Sequence, residues 1–333
     1  MQLHINTYGT YLHVKDDLFE VQMRSEGEVK KTLIAAHKVQ SIWLSMGTAL
    51  SSDAIKLALV NNIDVVFLLN DGTPIGRVWH SKLGSTTLIR KRQLEASLNT
   101  ASLHYTKLWV GAKMDNQMEL VLGLRKHRDH LLGYLDAQLK LMEEFRRKLS
   151  SLEAMHVDEV DDTIRGWEGN CSRIYFETIS FVLPRQYKFG GRSFRPAADA
   201  FNAFLNYAYG VLYSRVEKAL ILAGIDPYVG FLHRDDYNYK SMVYDFIEPY
   251  RSYADKVVFS LFSAKRVRQD HTDKIKNGMA ISKLGKALLI EHFNNYLEED
   301  KVRYKGRLQS RASTIQFDAH QLANELIDKK APL

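Results

Sequence analysis

The hydrophobic pattern of this chain changes its period near residue 85, and this change constrains the fold more than any other feature. Before it, short segments rich in β-branched and aromatic residues predict strands. These segments are 11–14, 18–21, 41–44 and 63–69. The run Ser51-Ser52-Asp53 predicts the start of one short helix, because serine and aspartate cap helices well. We therefore expect a β-rich N-terminal domain over residues 1–84.

From residue 85 onward, apolar residues recur at intervals of three and four, the spacing of helices that bury one face. The spacing is clear in the series Leu120, Leu124, Leu131, Leu135, Leu139 and Met142. Residues 70–72 predict a turn after the last strand, and residues 82–87 form a candidate linker. The predicted fold class is α+β: a β-rich domain over 1–84, then a larger all-α catalytic domain over 85–333.

The charge balance of the chain points to a polyanionic partner. Its 333 residues include 46 Lys and Arg against 39 Asp and Glu, a formal charge of +7, which favours nucleic acid. Cys171 is the single cysteine, which excludes an internal disulfide and a cysteine-based zinc cluster and is typical of a reducing compartment. Because no apolar run is long enough for a signal peptide or a membrane span, we expect a cytoplasmic protein without a membrane partner.

Three dense motifs concentrate the residues that can carry chemistry. Residues 166–176 contain Glu168, residues 224–233 end at His233, and residues 245–251 contain Asp245 and Glu248. Carboxylates suit Mg²⁺, and an added imidazole extends the preference toward Mn²⁺. Asp245 and Glu248 are three residues apart, so they share a face if the segment is helical. Each residue alone also fits a solvated helix face or a core histidine, so the spacing leaves a metal site as a hypothesis.

These motifs resemble those of the CRISPR-associated protein one family, the integrases that capture new spacers. The similarity extends over essentially the whole chain and includes Phe194-Arg195-Pro196, residues 202–209 and Ser241-Met242-Val243-Tyr244. The resemblance implies a β-rich N-terminal domain that forms a homodimer. It also implies a helical C-terminal domain that binds metal and DNA, which agrees with the change of hydrophobic period.

The same resemblance implies a site and an activity. Glu168, His233 and Glu248 are the implied ligands of Mg²⁺ or Mn²⁺, and Asp245 supports the site or shares in metal binding, so either acid can supply the third ligand. The implied activity is a metal-dependent DNA endonuclease and integrase, which inserts short foreign DNA into a CRISPR array through 3′-hydroxyl attack on repeat phosphodiesters. Implied partners are double-stranded and branched DNA, a second copy of the chain, and a small second CRISPR-associated protein in a heterohexameric complex.

Basic segments supply candidate DNA contacts. Arg173 lies about one turn beyond Glu168 if the segment is helical, where it contacts a phosphate or pairs with a neighbouring acid. Arg303, Lys305 and Arg307 alternate with an aromatic residue, a combination suited to splayed strand ends. Two alternative functions stay open: a transposon-borne integrase of the same family, and a non-catalytic scaffold that binds branched DNA.

Overall fold

The structure is a computed structural model that describes residues 2–25, 28–39, 41–61, 63–68, 74–78, 86–126, 128–233 and 239–328. The chain divides into two compact units, residues 1–84 and 85–333. This division falls where the hydrophobic period changes. The predicted turn at 70–72 and most of the candidate linker at 82–87 lie outside the described residues.

The described residues of the first unit form two four-stranded sheets, one α-helix and a short 3₁₀ turn at Ala36–Lys38. Its elements are β1 (Gln2–Ile5), β2 (Tyr11–Lys15), β3 (Leu18–Ser25), β4 (Glu28–Ala35), β5 (Ser41–Ser45), β6 (Ala49–Leu50), α1 (Ser52–Val60), β7 (Asp64–Leu68) and β8 (Pro74–Val78). One sheet has the order β1-β5-β7-β8, with β1, β5 and β7 parallel and β8 antiparallel. The other has the order β4-β3-β2-β6, and its β2-β3-β4 part is an antiparallel meander.

The strands and the helix of this unit follow from its sequence. All four predicted strands are confirmed, and α1 begins where the serine cap was expected: the Ser51 hydroxyl accepts a hydrogen bond from the backbone N–H of Ala54 at 3.1 Å. Leu12, Phe19 and Ile42 are completely buried in a core of apolar strand residues. Alternation along each strand places these side chains on one face.

The second unit is mostly helical. Its elements are α2 (Thr86–Ser97), α3 (Thr100–Arg125), α4 (Leu132–Ser150), α5 (Asp161–Val182), α6 (Ala200–Leu222), α7 (Ser241–Phe246), α8 (Arg251–Ser263), β9 (Thr272–Ile275), β10 (Gly278–Ile281), α9 (Lys283–Asn294), β11 (Lys301–Tyr304), β12 (Arg307–Ser310) and α10 (Arg311–Ile327). The long helix α3 packs against α4, α5 and α8. Met114, Leu135, Tyr175, Phe204 and Phe262 are fully buried in its core.

The α+β class is confirmed, but the prediction that the second unit is all-α is wrong at two hairpins. Strands β9 and β10 pair antiparallel, as do β11 and β12. Lys305 and Gly306 both have positive φ, 46° and 78°, the backbone that a tight two-residue hairpin turn requires. In the other turn Asn277 has a φ of 65°. The strands have four residues each, too few for their alternation to stand out from the helical pattern around them.

No helix in the described part of the chain combines the length and the apolarity that a membrane span requires.

Candidate active site

Glu168 lies in the middle of α5, and its carboxylate is oriented by neighbours. Cys171 and Tyr175 are buried on the same helix and anchor it in the core. The Ser172 hydroxyl donates a hydrogen bond to Glu168 Oε1 at 2.9 Å, and Gln117 Nε2 on α3 donates to Ser172 Oγ at 3.2 Å. The side chain of Glu168 keeps 25% of its surface exposed, so the carboxylate is held in place yet accessible.

Glu248 lies just after α7, because Pro249 ends that helix. A proline lacks an N–H and clashes with the carbonyl four residues earlier, so the chain passes into a short 3₁₀ turn over Glu248–Tyr250. Asp245 therefore lies on α7 and Glu248 on the 3₁₀ turn that follows it, rather than on one continuous α-helix. Both acids are buried, which also excludes an exposed acidic stripe. Glu248 Oε1 accepts a hydrogen bond from Arg251 Nε at 2.8 Å.

A lysine that the sequence analysis did not single out joins these two acids. Lys113 Nζ contacts Glu168 Oε1 and lies 2.6 Å from Glu248 Oε2. Lys113 belongs to the buried stripe of α3, between Val110 and Met114. A lone charged residue in an apolar helical stripe is the signal that could have found it, since a buried lysine needs an opposite charge.

The charges of this cluster control one another. Burial raises the pKa of Glu248, but the positive charges of Arg251 and Lys113 outweigh it and hold that pKa at about 2. Burial likewise lowers the pKa of Lys113, while the carboxylates of Glu168 and Glu248 raise it to a net value above the ordinary one. Glu248 is therefore a carboxylate and Lys113 an ammonium at neutral pH.

Asp245 holds the loop that ends at His233. Its Oδ2 accepts hydrogen bonds from the backbone N–H groups of Phe231 and Leu232 at 2.6 and 3.0 Å, and its Oδ1 accepts from the His233 backbone N–H at 3.1 Å. His233 Nδ1 is 2.6 Å from the same Oδ1. Because a carboxylate only accepts, Nδ1 carries a proton, which in the neutral imidazole leaves the lone pair on Nε2. Both oxygens of Asp245 are thus engaged in holding this loop.

Two further contacts fix this loop. A Cβ added to Gly230 would lie 2.3 Å from the His233 carbonyl oxygen and 2.9 Å from Asp245 Oδ2, so only glycine fits. Arg165, one turn before Glu168 on α5, donates a hydrogen bond to the Leu232 carbonyl at 2.9 Å. The loop that carries His233 is therefore tied directly to the helix that carries Glu168.

The predicted ligands lie in two neighbouring groups, with Glu168 and Glu248 around Lys113 and with His233 on Asp245. Among the described residues, no three His, Cys, Asp or Glu side chains converge closely enough to hold a metal ion. The donors nonetheless suit a hard divalent cation. Glu248 Oε2 is buried and faces the ammonium of Lys113 at 2.6 Å. Two carboxylates that already attract a cation fit Mg²⁺ or Mn²⁺.

The candidate DNA contacts lie outside this cluster. Arg173 pairs with Glu177 at 3.0 Å, and both side chains are more than half exposed. Arg303, Lys305 and Arg307 are exposed on the β11-β12 hairpin. These three side chains form a small basic surface on the hairpin.

The aromatic residue of that hairpin is already engaged. The Tyr304 hydroxyl donates to Asp318 on α10, and its ring stacks near Phe317 with centroids 6.2 Å apart. Asp318 also accepts from the Tyr250 hydroxyl at 2.8 Å, two residues beyond Glu248. The hairpin is thus connected to the turn that carries Glu248.

Comparison with known proteins gives similarity over nearly the whole length. The family model described as CRISPR associated protein Cas1 matches residues 3–295. CRISPR-associated endonuclease Cas1 1 of Archaeoglobus fulgidus is 33% identical over 333 aligned residues, which cover 97% of this chain and 95% of that protein.

Solved structures show the same fold. A casposase bound to integration product matches with a TM-score of 0.78 at 22% identity, covering 100% of this chain and 92% of that one. A Cas6-RT-Cas1-Cas2 complex matches with a TM-score of 0.76 at 18% identity, covering 100% of this chain and 35% of that one.

Proposed function

Because the chain belongs to the Cas1 family of CRISPR-associated proteins, we propose that it is a DNA endonuclease and integrase that inserts short foreign DNA into a CRISPR array. Family membership confirms the resemblance carried by the sequence motifs. The observation that carries the proposal is the paired carboxylates of Glu168 and Glu248, next to the loop that holds His233 on Asp245. A scaffold protein has no need of a buried acidic pair or an oriented imidazole.

The acidic pair of Glu168 and Glu248 is the proposed binding site for Mg²⁺ or Mn²⁺. Glu168 and Glu248 Oε2 would hold the ion, with Nε2 of His233 as the nitrogen donor. When bound, such an ion neutralises charge on a nonbridging phosphate oxygen and lowers the pKa of the attacking hydroxyl. Asp245 contributes indirectly, because it keeps the proton on Nδ1 and the lone pair on Nε2.

The proposed reaction is a transesterification. The 3′-hydroxyl oxygen of the incoming strand forms a new bond to the phosphorus of a repeat phosphodiester while the bond to the departing 3′ oxygen breaks. The attacking hydroxyl loses a proton and the departing oxygen takes one up. Since one phosphodiester replaces another, no nucleotide cofactor is required. With water as the attacking group, the same site acts as an endonuclease.

The remaining residues have supporting roles in this proposal. Arg303, Lys305 and Arg307 bind phosphates, which supplies affinity without reading sequence. Residues 1–84 form the homodimer. Solved relatives include a Cas1-Cas2 complex and a casposase with its integration product. They support a small second CRISPR-associated protein and DNA as partners of this chain. The proposed assembly with branched DNA is heterohexameric, as the sequence resemblance implies.

Strand joining tests the proposal. A short duplex with free 3′-hydroxyls is incubated with a supercoiled plasmid that carries the repeat, the partner protein and Mn²⁺ or Mg²⁺. Wild type is compared with Glu168→Gln and His233→Ala. Glu177→Gln is the matched control, because Glu177 lies on the same helix but is more than half exposed and pairs with the exposed Arg173.

We expect metal-dependent product from wild type and from the control, and none from the two site variants, while DNA binding persists in all four. Equal product from all four proteins would refute the site. Absence of product from wild type despite tight DNA binding would favour the scaffold.

A transposon-borne integrase is the second candidate, favoured by the similarity to a casposase. The same assay separates the two, because a transposon integrase would join its own terminal sequences in preference to a short duplex without them.

A further inference from the structure

A single ammonium group fills the space between the two carboxylates of the candidate metal site. Lys113 Nζ contacts Glu168 Oε1 and is 2.6 Å from Glu248 Oε2. The three residues come from three separate elements: α3, α5 and the turn after α7. Lys113 is only 8% exposed, so its side chain is enclosed rather than resting on a surface. Its ammonium occupies the position that a cation shared by these carboxylates would take.

The charges of this cluster already balance. Glu168 and Glu248 contribute two negative charges, and Lys113 and Arg251 contribute two positive ones. A divalent cation added with both basic side chains in place would leave two uncompensated positive charges among buried groups. Like charges at such short range repel strongly where water is largely excluded. One of the two basic groups must therefore move away when a metal binds.

Arg251 is not the group that moves. Its Nε donates to Glu248 Oε1 at 2.8 Å, and its Nη2 donates to the Tyr213 hydroxyl at 3.0 Å. The guanidinium also lies over the rings of Tyr209 and Tyr213, 5.1 and 5.6 Å from their centroids. A planar group held at its edge and its face has little freedom.

Lys113 is the group that can move. Its ammonium donates a hydrogen bond to Glu168 Oε1 and lies 2.6 Å from Glu248 Oε2, so the contacts that hold it are those that a bound metal ion would take over. A lysine ammonium is a point charge on a flexible stem of four carbons, which can withdraw by rotation about its own bonds. Arg251 uses Oε1 of Glu248, whereas Lys113 faces Oε2, the oxygen proposed here as a metal ligand.

We propose that Lys113 is a built-in counter-cation, which competes with divalent metal for the position between Glu168 and Glu248 and so sets the affinity of the site for metal. This rests on the proposed function, in which those carboxylates hold the ion. Lys113 stabilises the acidic pair when no metal is present and must leave when one binds. If the ammonium is withdrawn in no more than about one molecule in ten, the apparent metal affinity falls about tenfold below its intrinsic value.

Metal binding without DNA tests this directly. Mn²⁺ alone is titrated into the full-length protein, and the free ion is measured from its electron paramagnetic resonance signal. Lys113→Met removes the charge at similar side-chain length, and Lys113→Gln keeps polar hydrogen-bond donors if the methionine variant folds poorly. Lys256→Met is the matched control, because Lys256 forms a partly exposed ion pair with Glu119 at 3.5 Å. Glu248→Gln identifies the binding site.

The expected result is a gain of about tenfold or more in Mn²⁺ affinity for the Lys113 variants, with the control equal to wild type. Thermal melting gives a second readout. Without metal the Lys113 variants should melt below wild type, and Mn²⁺ should raise their melting temperature by more than it raises that of wild type.

Two failures have different meanings. If Glu248→Gln loses Mn²⁺ binding while both Lys113 variants bind no more tightly than wild type, the competition is refuted and the metal site stands. If Glu248→Gln binds Mn²⁺ as wild type does, the metal site itself is refuted, and the competition with it.

Discussion

Replacing Asp245 with asparagine gives the most demanding test of how this site is held together. The substitution preserves shape but exchanges one accepting oxygen for an NH₂ donor. If the amide oxygen takes the place of Oδ1, the backbone N–H groups of Phe231 and Leu232 face that donor. If it takes the place of Oδ2, only the His233 backbone N–H is orphaned, and the imidazole must accept at Nδ1 and carry its proton on Nε2.

The second arrangement costs less, so it sets the expected magnitude. One buried N–H without an acceptor costs about 1–3 kcal/mol. The bonds from Phe231 and Leu232 lose their charged acceptor, at about 1 kcal/mol each. Asp245→Asn should therefore destabilise the protein by about 3–5 kcal/mol, a fall of at least roughly 6 °C in melting temperature for a domain of this size. Because the tautomer of His233 is reversed, strand joining should fall by about 10–100-fold.

Differential scanning calorimetry and the strand-joining assay measure the two effects. Asp136→Asn is the control, since Asp136 forms an exposed ion pair with Arg125 at 3.1 Å and should change stability by less than about 1 kcal/mol. If Asp245→Asn melts within about 1 °C of wild type, the reasoning that Asp245 holds the loop is wrong. Full joining activity with reduced stability would refute the role of the tautomer alone.

Three further predictions follow from buried and exposed groups. Burial raises the pKa of Asp255 from 3.8 to about 6, although the Tyr175 and Tyr209 hydroxyls donate to its carboxylate. Folding therefore favours the protonated form of Asp255. The stability that this preference contributes is complete below pH 3.8 and is lost as the pH rises through about 6. Relative to Asp255→Asn, wild type should lose about 3 kcal/mol across that window in denaturant titrations. Burial raises the pKa of the Cys171 thiol to about 12, so a thiol reagent should label it only after unfolding. Replacing Arg303 with alanine should reduce the slope of log K against log salt concentration for DNA binding by about one, and replacing Arg307 should do the same.

A specific result would contradict each of these three predictions. Parallel pH profiles for wild type and Asp255→Asn would show that this carboxyl does not gain its proton on folding. Rapid labelling of Cys171 in the native protein would contradict its burial. If the salt dependence of DNA binding is unchanged, the β11-β12 hairpin does not contact the DNA phosphates. Lys107→Ala is the control there, because its Nζ is bound to the carbonyls of Ser150 and Leu152.

Local sequence determined much of this protein. Alternation before residue 85 and helical spacing after it predicted the α+β class, and Ser51 marked the start of α1. The motifs around Glu168 and His233 were sufficient to indicate the family. These features are read correctly from sequence because periodicity and capping depend on residues within a few positions of one another.

Only the tertiary structure decided how the site is built. Lys113 and Glu168 are 55 residues apart, and the residues next to each of them do not predict that the two side chains meet. Asp245 stood in sequence as a possible metal ligand, whereas the folded loop engages both of its oxygens. Which charges meet in a buried cluster depends on how α3, α5 and the turn at Glu248 pack. Packing brings together groups that are distant in sequence, and their mutual electrostatics then determine what each one can do.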